Sequence, residues 1–399
     1  QETITLEQCY QWSRENYPLI KKQELIKKAE QYTTENALKG WLPQIQIVGQ
    51  ATYQNDVTQF PVKLPNVNVE PLSKDQYKVF ADVSQTIYDG GNIRNQKNLA
   101  KIQSEVQTIQ TEVELDKLKE RINQLYFGIL QTNKQWTQLQ FTKLDIKEGI
   151  KKAEAQLKNG VIFRSNLDVL KAELVKIEQK EIELQAIKQN FVQMLSYFIK
   201  KNIDENTQLE TPEKILLTKN NNRSELKLFD AQKQLLETQR KIINTKNTPK
   251  LGAFFQGGYG KPGFNMLKNE FDLFYIGGIR LNIPISGFYT QKNDLALLEN
   301  QSQDIEIQRE NFLFNQNFIE IQQRNDLEKI QNLIDKDNEL IELRKNIKTA
   351  SLAQLENGVI NTNDYLREVT AEEQAILTKI THEIQYLLTQ YNLKAQLNN

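Results

Sequence analysis

The sequence has very few of the residues on which metal sites, disulfides and many active sites depend. Cys9 is its only cysteine and His382 its only histidine, which excludes an intrachain disulfide, a histidine-based catalytic triad and a cluster of histidine metal ligands. We interpret Cys9 as a buried apolar thiol and His382 as a packed or solvated residue of a helix. The sequence has neither a glycine-rich phosphate loop nor a paired Cys/His spacing. We therefore predict a protein that is not an enzyme and that binds no cofactor and no metal ion.

Net charge and long apolar runs are missing as well. The 51 lysines and arginines balance the 51 aspartates and glutamates, so no electrostatic signal favours nucleic-acid binding. The sequence contains no run of about 20 apolar residues, which excludes a transmembrane helix. With 39% hydrophobic residues and a mean hydropathy of -0.61, the chain has little material for a large buried core. Much of its surface is expected to be solvated helix.

The sequence does contain two kinds of periodic segment, and the first kind predicts β-strands. Apolar and polar residues alternate in Gln44–Tyr53, and the same period of two returns around 75–88, 249–260 and 271–286. Polar residues 54–74 connect the first two segments, and residues 261–270 connect the last two. Each pair of segments therefore predicts a long hairpin.

The second kind of periodic segment predicts very long helices. Between residues 92 and 157, runs of apolar residues spaced by threes and fours begin at Leu99 and Trp136, and Lys143 interrupts the second run. This spacing is the heptad pattern of a left-handed coiled coil. Roughly 66 residues at about 1.5 Å each make a helix about 100 Å long. Residues 289–355 predict a second helix of this kind.

The same order of elements occurs twice. The turn Asn159-Gly160-Val161-Ile162 recurs as Asn357-Gly358-Val359-Ile360, and such self-similarity indicates a duplicated architecture. We predict a first repeat over residues 1–200, an inter-repeat equatorial segment over 201–222 and a second repeat over 223–399. The first repeat contains strands at about 41–54 and 75–88, a long helix at about 92–157, a tip turn at 159–166 and a return helix to 200; the second contains strands at about 249–260 and 271–286, a long helix at about 289–355, a tip turn at 357–364 and a return helix.

Local signals mark the ends of several helices. Thr5-Leu6-Glu7-Gln8 predicts a capping box at the first helix. Gly160 is expected to adopt the left-handed conformation that ends the first long helix. The segment from Ser165 to Asp168 is expected to cap the return helix that follows.

The four strands admit two interpretations. Each is long enough to cross a bilayer, which takes about 9–11 tilted residues, but four strands cannot close a barrel and an open sheet edge cannot face lipid. Three copies of the chain would supply twelve strands, enough for a closed barrel with a lumen. The alternative is a soluble four-stranded sheet packed on the helices. The aromatic residues that would form a membrane belt are Trp41, Tyr53, Tyr77, Tyr88, Phe255, Tyr259 and Tyr275.

Several short motifs in a fixed order resemble the TolC-like outer-membrane efflux proteins. They are Thr5-Leu6-Glu7-Gln8, Tyr17-Pro18, Trp41-Leu42-Pro43, Tyr88-Asp89-Gly90-Gly91 and the two Asn-Gly turns. The resemblance covers essentially the whole chain. It implies a mainly α-helical fold with a β-barrel part: a long coiled-coil α-helical barrel plus four transmembrane β-strands per protomer, which close a twelve-stranded barrel in a homotrimer.

The resemblance also implies a function and a set of partners. The chain would be the passive exit duct of a tripartite efflux or type I secretion system in the outer membrane of a Gram-negative bacterium, with a long periplasmic part. Its partners would be a periplasmic adaptor (membrane fusion) protein, an inner-membrane transporter and outer-membrane lipid. Because the sequence begins at Gln1 without a methionine, we also expect a signal peptide to have been removed. The cargo is not specified by the sequence.

In this family the turns between long and returning helices form the periplasmic tip, where the adaptor binds and the pore constricts. The family often has an acidic residue six positions after the tip glycine. Asp364 fits this spacing after Gly358, whereas the first repeat has Asn166 there and Asp168 two residues later. The implied constriction is formed by Asp364 and Asp168, and helix capping is the alternative role of Ser165 and Asp168. The implied tip and adaptor contacts are Asn159, Gly160, Val161, Ser165, Asn166, Asp168, Asn357, Gly358, Val359, Asn363 and Asp364.

A competing hypothesis belongs to a different class of protein. It is a soluble periplasmic coiled-coil scaffold with a small β-sheet, which binds its partners along the helices. Extraction separates the two hypotheses, because a scaffold stays in the aqueous phase whereas a membrane channel requires detergent.

Overall fold

A computed structural model describes residues 3–58, 71–215 and 222–397 of the chain. Residues 59–70 of the predicted loop between the first two strands, and residues 216–221 of the predicted inter-repeat segment, lie outside the described residues. None of the described helices combines the length and the apolar character needed to cross a membrane. In chain order the elements are α1 (Leu6–Asn16), α2 (Lys21–Leu38), β1 (Gln44–Tyr53), β2 (Asp75–Tyr88), α3 (Asn92–Lys158), α4 (Arg164–Ile199), α5 (Ser224–Thr245), β3 (Lys250–Lys261), β4 (Asp272–Asn282), α6 (Phe288–Glu356) and α7 (Thr362–Leu397).

These elements confirm the predicted fold class, a mainly α-helical chain with four strands. The chain divides into two compact units, and each unit contains segments from both halves of the sequence. The helical unit comprises Gln1–Gln23, Ile109–Lys227 and Arg309–Asn399. The sheet unit comprises Glu24–Thr108 and Leu228–Gln308. The division of the sequence into two repeats with an equatorial segment between them stays a prediction.

One hydrophobic cluster of the helical unit is built from the predicted heptad positions of α3. Leu139, Ile146 and Ala153 are buried, and they pack in one cluster with residues of α4 and α7, including Leu170 and Leu366. The spacing of these α3 residues by sevens puts them on one side of the helix, which is why they meet the same partners over several turns. The coiled-coil character predicted from the sequence therefore has a physical counterpart in this cluster.

Lys143, the charged residue that interrupts the heptad pattern, finds a partner on α4. Its ammonium pairs with the carboxylate of Glu181, and the side-chain amide of Gln140 donates a second hydrogen bond of 2.6 Å to that carboxylate. Burial alone would raise the pKa of Glu181, but the hydrogen bonds from Lys143 and Gln140 outweigh it and lower the pKa. The lysine thus occupies a position of the α3 seam without leaving a buried charge unpaired.

A second cluster of the helical unit surrounds α1. Cys9 is fully buried there with residues of α3, α4 and α7, and its burial raises the pKa of the thiol to about 12. The predicted capping box is confirmed: the Gln8 backbone N–H donates to Thr5 Oγ1 at 3.2 Å, and the Thr5 backbone N–H donates to Gln8 Oε1 at 2.9 Å. His382 on α7 lies with Nδ1 2.6 Å from a carboxylate oxygen of Asp337 on α6.

The sheet unit contains one antiparallel sheet with the strand order β1-β2-β3-β4. The two predicted hairpin pairings, β1 with β2 and β3 with β4, are confirmed. β2 and β3 also pair with each other, which joins the two hairpins into one sheet. Sequence patterns do not indicate this third pairing, because β2 and β3 lie far apart in the chain.

The turn from β2 into α3 is held by a carboxylate. Asp89 is buried, and its oxygens accept hydrogen bonds from the backbone N–H of Gly91 at 2.8 Å and of Ile93 at 2.5 Å. Ile93 lies in the first turn of α3, where backbone N–H groups lack intrahelical partners, and Gly91 immediately precedes that turn. Asp89 therefore fixes where α3 begins relative to the end of β2.

Candidate functional site

The two faces of the sheet differ sharply in chemistry. Residues paired directly across antiparallel strands lie on the same face, and the register pairs Ile47 with Ala81, Ala81 with Gly257 and Gly257 with Tyr275. The polar residues that the register puts on that face are Asp75, Gln85 and Lys261, and its other positions are apolar, aromatic or glycine. We call it the apolar face: Ile45, Ile47, Gly49, Ala51, Tyr53, Tyr77, Val79, Ala81, Val83, Tyr88, Leu251, Ala253, Phe255, Gly257, Tyr259, Leu273, Tyr275, Gly277, Ile279 and Leu281.

The apolar face is uncovered in the single chain. Ile47 is 80% exposed, Tyr275 77% and Ile279 71%. Contiguous apolar surface of this kind normally marks a contact with lipid or with another protein. Its chemistry is therefore the main functional clue in the sheet unit.

All seven aromatic residues of the predicted membrane belt are exposed in the single chain. Trp41 precedes β1, and the other six lie on the apolar face. Tyr53 and Tyr77 lie at the end of the sheet away from α3, and Tyr88 lies at the α3 end. Phe255 and Tyr275 lie between these ends, with rings stacked at a centroid distance of 6.4 Å.

The opposite face, which we call the polar face, consists of the alternate residues of each strand. Its centre carries a hydrogen-bonded band across three strands: the side-chain amides of Gln46 and Gln256 donate to the two carboxylate oxygens of Asp82 at 3.0 and 3.1 Å. Sequence reasoning did not single out these residues. The only signal for them was their place among the polar positions of the period-two pattern.

The two edges of the sheet have no strand partner within the described residues. β1 pairs only with β2, and β4 pairs only with β3. An unpaired edge presents a row of free backbone donors and acceptors, which favours pairing with another strand. The sheet is therefore open on both sides in one chain.

The two tip turns have the same backbone structure. Gly160 and Gly358 have φ of +72° and +69°, the left-handed conformation predicted for the first of them. After each glycine a valine N–H donates back into the helix, from Val161 to the Gln156 carbonyl at 2.9 Å and from Val359 to the Gln354 carbonyl at 2.8 Å. This is a Schellman motif, which satisfies the last carbonyls of the long helix.

The predicted capping of α4 by Ser165 to Asp168 is wrong. α4 begins at Arg164, so Ser165 and Asp168 already lie inside its first turns, and its N-cap residue is Phe163, whose side chain cannot accept a hydrogen bond. In the second turn the Asn361 side chain accepts a hydrogen bond from the Asp364 backbone N–H at 3.0 Å. Only the second return helix is capped by a side chain.

We expect Phe163→Asn to stabilise the first turn of α4 by about 0.5–1 kcal/mol, because asparagine at the N-cap accepts a hydrogen bond from a free helix N–H. Asn361→Ala should destabilise the first turn of α7 by about 1 kcal/mol for the converse reason. Hydrogen exchange of the backbone amides in the two first turns measures both changes. Faster exchange in α4 of the first variant would contradict this assignment.

The remaining predicted tip residues are placed as follows. Asp364 is half-buried in the first turn of α7, and Asn166 is half-buried in α4. Asp168 is exposed, with its carboxylate 4.0 Å from the Arg164 side chain. Asn166, rather than Asp168, therefore occupies the position in α4 that corresponds to Asp364. Asn159, Val161, Ser165, Asn357, Val359 and Asn363 are exposed.

Ion pairs connect three helices close to the tip turns. Lys348 of α6 lies between Asp145 of α3 at 3.2 Å and Glu372 of α7 at 2.5 Å. Burial by itself would lower the pKa of Lys348, but its hydrogen bonds and charge contacts with these two carboxylates raise it. A further pair joins Lys152 of α3 to Glu356 of α6 at 3.0 Å.

No group of three or more histidine, cysteine, aspartate or glutamate side chains is arranged to hold a metal ion in the part of the chain that the structure describes. The candidate functional site consists of surfaces of the chain. These surfaces are the two faces of the sheet and the two tip turns.

Part of the chain is similar to a known family of proteins. Residues 9–195 match the family model described as outer membrane efflux protein. Over this stretch, just under half of the chain, the sequence is similar to the outer membrane efflux proteins. No curated protein matched the sequence.

Solved structures with a similar fold include three outer-membrane proteins. For VceC from Vibrio cholerae the TM-score is 0.71 at 12% identity, over 99% of this chain and 96% of that one. For the open state of the MtrE outer membrane channel of Neisseria gonorrhoeae the TM-score is 0.70 at 12% identity, over 99% of this chain and 89% of that one. For the Campylobacter jejuni CmeC outer membrane channel the TM-score is 0.68 at 12% identity, over 98% of this chain and 85% of that one. At such identities the likeness establishes the fold.

Proposed function

We propose that this chain is one subunit of a homotrimeric outer-membrane channel, the passive exit duct of a tripartite efflux or type I secretion system in a Gram-negative bacterium. The observation that carries the proposal is the contrast between the exposed apolar face and the polar face of the sheet. Lipid is the environment in which such an apolar face is stable, and a water-filled lumen suits the polar face.

The length of the apolar face fits a membrane. Tyr77 and Tyr88, near the two ends of β2, are separated by roughly 36 Å of strand at about 3.3 Å per residue. A strand tilt of about 35–45° reduces this to roughly 25–30 Å, close to the height of the apolar band of outer-membrane barrels. We propose Trp41, Tyr53, Tyr77, Tyr88, Phe255, Tyr259 and Tyr275 as the aromatic belt of this band.

The free edges of the sheet support a closed assembly. An open sheet edge in lipid would leave backbone groups without hydrogen bonds, each at a cost of several kcal/mol. Pairing β1 of one chain with β4 of the next removes both edges. Three chains would give a twelve-stranded barrel, within the size range that leaves a lumen.

We further propose that the two tip turns lie at the periplasmic end, with Asn159 to Asp168 and Asn357 to Asp364 as the contact region for a periplasmic adaptor. Asp364 is the better candidate for a carboxylate ring at the constriction, since Asp168 lies beside Arg164. Opening would move helices relative to one another and would break ion pairs such as Lys348 with Asp145. An inner-membrane transporter would supply both energy and cargo selection.

The alternative function, a soluble periplasmic coiled-coil scaffold, has to keep the apolar face in water or cover it with another protein. Detergent dependence separates the two functions. A channel should be extracted only with detergent, migrate as a heat-resistant trimer and conduct ions in planar bilayers. A monodisperse monomer in aqueous buffer would contradict the channel.

For this channel we expect Asp364→Ala to lower the cation-to-anion permeability ratio by about 2-fold or more, because rings of carboxylates favour cations in pores. Reversal potentials under a salt gradient in planar bilayers measure the ratio. Asp168→Ala is the matched control, with a smaller expected change because Arg164 lies beside that carboxylate. Equal reversal potentials for the wild type and Asp364→Ala would remove Asp364 from the constriction.

A further inference from the structure

The polar face contains a cavity at the end of the sheet next to the start of α3. Its volume is about 390 Å³, inside the range of about 300–1,000 Å³ typical of small-molecule sites. It is lined by polar-face residues of β2, β3 and β4, including Ser84, Thr86 and Asn282, and by Gly40 and Ile93. All of these residues belong to the sheet unit of a single chain. The cavity therefore exists without any assembly of chains.

Two cationic side chains, Arg280 and Lys250, line this cavity. The register pairs Lys250 with Asn282 and Gly252 with Arg280, so the two cations are diagonal neighbours on one face, with Cα atoms about 7–8 Å apart. Neither makes an ion pair within the residues that the structure describes. Two neighbouring like charges repel each other, and a shared anion would relieve this repulsion.

The nearby carboxylates are already engaged with other donors. Asp89 lines the cavity, but its oxygens accept hydrogen bonds from the backbone N–H groups of Gly91 and Ile93. Asp82 on the polar face accepts hydrogen bonds from Gln46 and Gln256. The charge of Arg280 acts on Asp82, but neither acid is hydrogen-bonded to Arg280 or to Lys250.

The guanidinium of Arg280 is positioned by an aromatic ring. Its central carbon lies 4.6 Å from the centroid of the Phe254 ring, which also lines the cavity. A guanidinium held in this way presents a planar pair of N–H donors that matches two oxygens of a carboxylate or a phosphate. The hydroxyl groups of Ser84 and Thr86 add neutral donors to the same cavity.

We propose that this cavity is a binding site for an oxyanion, the carboxylate or phosphate group of a small organic compound. Arg280 binds two of its oxygens, and Lys250 adds a second positive charge. If the chain forms the proposed channel, the site lies on the lumen wall and binds anionic cargo during export. That role rests on the proposed function, whereas binding itself does not.

Calorimetric titration of the full chain in detergent at low ionic strength tests the site. One arm uses inorganic phosphate and the other uses citrate, which distinguishes phosphate from carboxylate preference. We expect one saturable site per chain, and Arg280→Gln should weaken binding at least about 10-fold. Arg280→Lys should weaken it less, because lysine keeps the charge but lacks the planar pair of donors.

The matched control is Lys78→Gln, which removes one positive charge from the same face outside the cavity. We expect it to change binding by less than about 2-fold. Lack of saturable binding of both probes by the wild-type chain would overturn the site, as would equal losses in Arg280→Gln and Lys78→Gln. If Arg280→Gln does not fold, the binding losses of Arg280→Lys and Lys78→Gln are compared instead. A larger loss in Arg280→Lys supports the site, and equal losses overturn it.

Conductance of the same preparations separates this inference from the proposed function. Binding without conductance in planar bilayers supports the oxyanion site and contradicts the channel. Conductance without binding supports the channel and contradicts the site.

Discussion

We expect Ile47→Arg, in the middle of the apolar face, to lower the free energy of unfolding in phospholipid bilayers by about 2–4 kcal/mol, the cost of a cation at the membrane midplane. In a soluble sheet the same substitution would be nearly neutral, because Ile47 is 80% exposed in the single chain and exposed substitutions usually change stability by less than about 0.5 kcal/mol. Urea titration of the reconstituted protein, followed by tryptophan fluorescence, measures the difference.

Ile276→Arg is the matched control for this substitution. Ile276 lies on β4, the other edge strand, and it pairs with Gln256 on the polar face. The residue change is the same, but the arginine would enter the polar lumen rather than lipid. We expect a loss of less than about 1 kcal/mol. Equal losses for the two variants would contradict the assignment of the two faces.

The second large effect concerns the turn between β2 and α3. We expect Gly90→Ala to destabilise the protein by about 2–5 kcal/mol, through the strain of a non-glycine residue in the left-handed region and through overpacking. Gly90 has φ of +72°, and a Cβ atom there would lie 1.7 Å from Thr248 Oγ1 and 2.7 Å from Thr248 Cβ. The same urea titration measures the loss.

The neighbouring glycine separates the two causes. Gly91 has φ of +87°, but a Cβ atom built there meets no atom within 4 Å. Gly91→Ala should therefore show only the backbone strain, about 1–2 kcal/mol. Adding Thr248→Gly to Gly90→Ala should recover the part of the loss that comes from the clash. If Gly90→Ala lowers the free energy of unfolding by no more than Gly91→Ala does, the Thr248 side chain moves aside without a measurable energetic penalty, and the predicted clash is contradicted.

The features that the sequence predicted are those set by short-range chemistry. The alternation of apolar and polar residues in Gln44–Tyr53 indicated a strand, and the glycines of the tip turns indicated the ends of the long helices. Both signals depend only on residues a few positions apart in the chain. The capping box at Thr5 and Gln8 is of the same kind. The pattern of buried α3 residues such as Leu139 and Ile146 follows from helical periodicity.

Features that depend on distant residues could not be derived in this way. The pairing of β2 with β3 brings together strands from the two halves of the sequence, and the partner of Lys143 lies on another helix. The cap of α4 was misplaced because three polar residues follow Phe163, and the helix begins before them. The cavity at Arg280 likewise needs the register of three strands and the start of α3 to be known.

Cysteine cross-linking between β1 and β4 tests the central claim, that sister chains close the barrel by pairing these strands. In a Cys9→Ser background, Gln50→Cys in β1 is combined with single cysteines stepped along β4. Within one chain β2 and β3 separate these strands by roughly 14 Å, at about 4.8 Å per strand, beyond the Cα distance of about 7 Å that a disulfide tolerates.

Any disulfide between the two strands therefore joins two chains. We predict that, at one register, oxidation in the membrane gives covalent species that end at three chains. Monomers alone at every register, or a ladder that continues beyond three chains, would contradict a closed trimeric barrel.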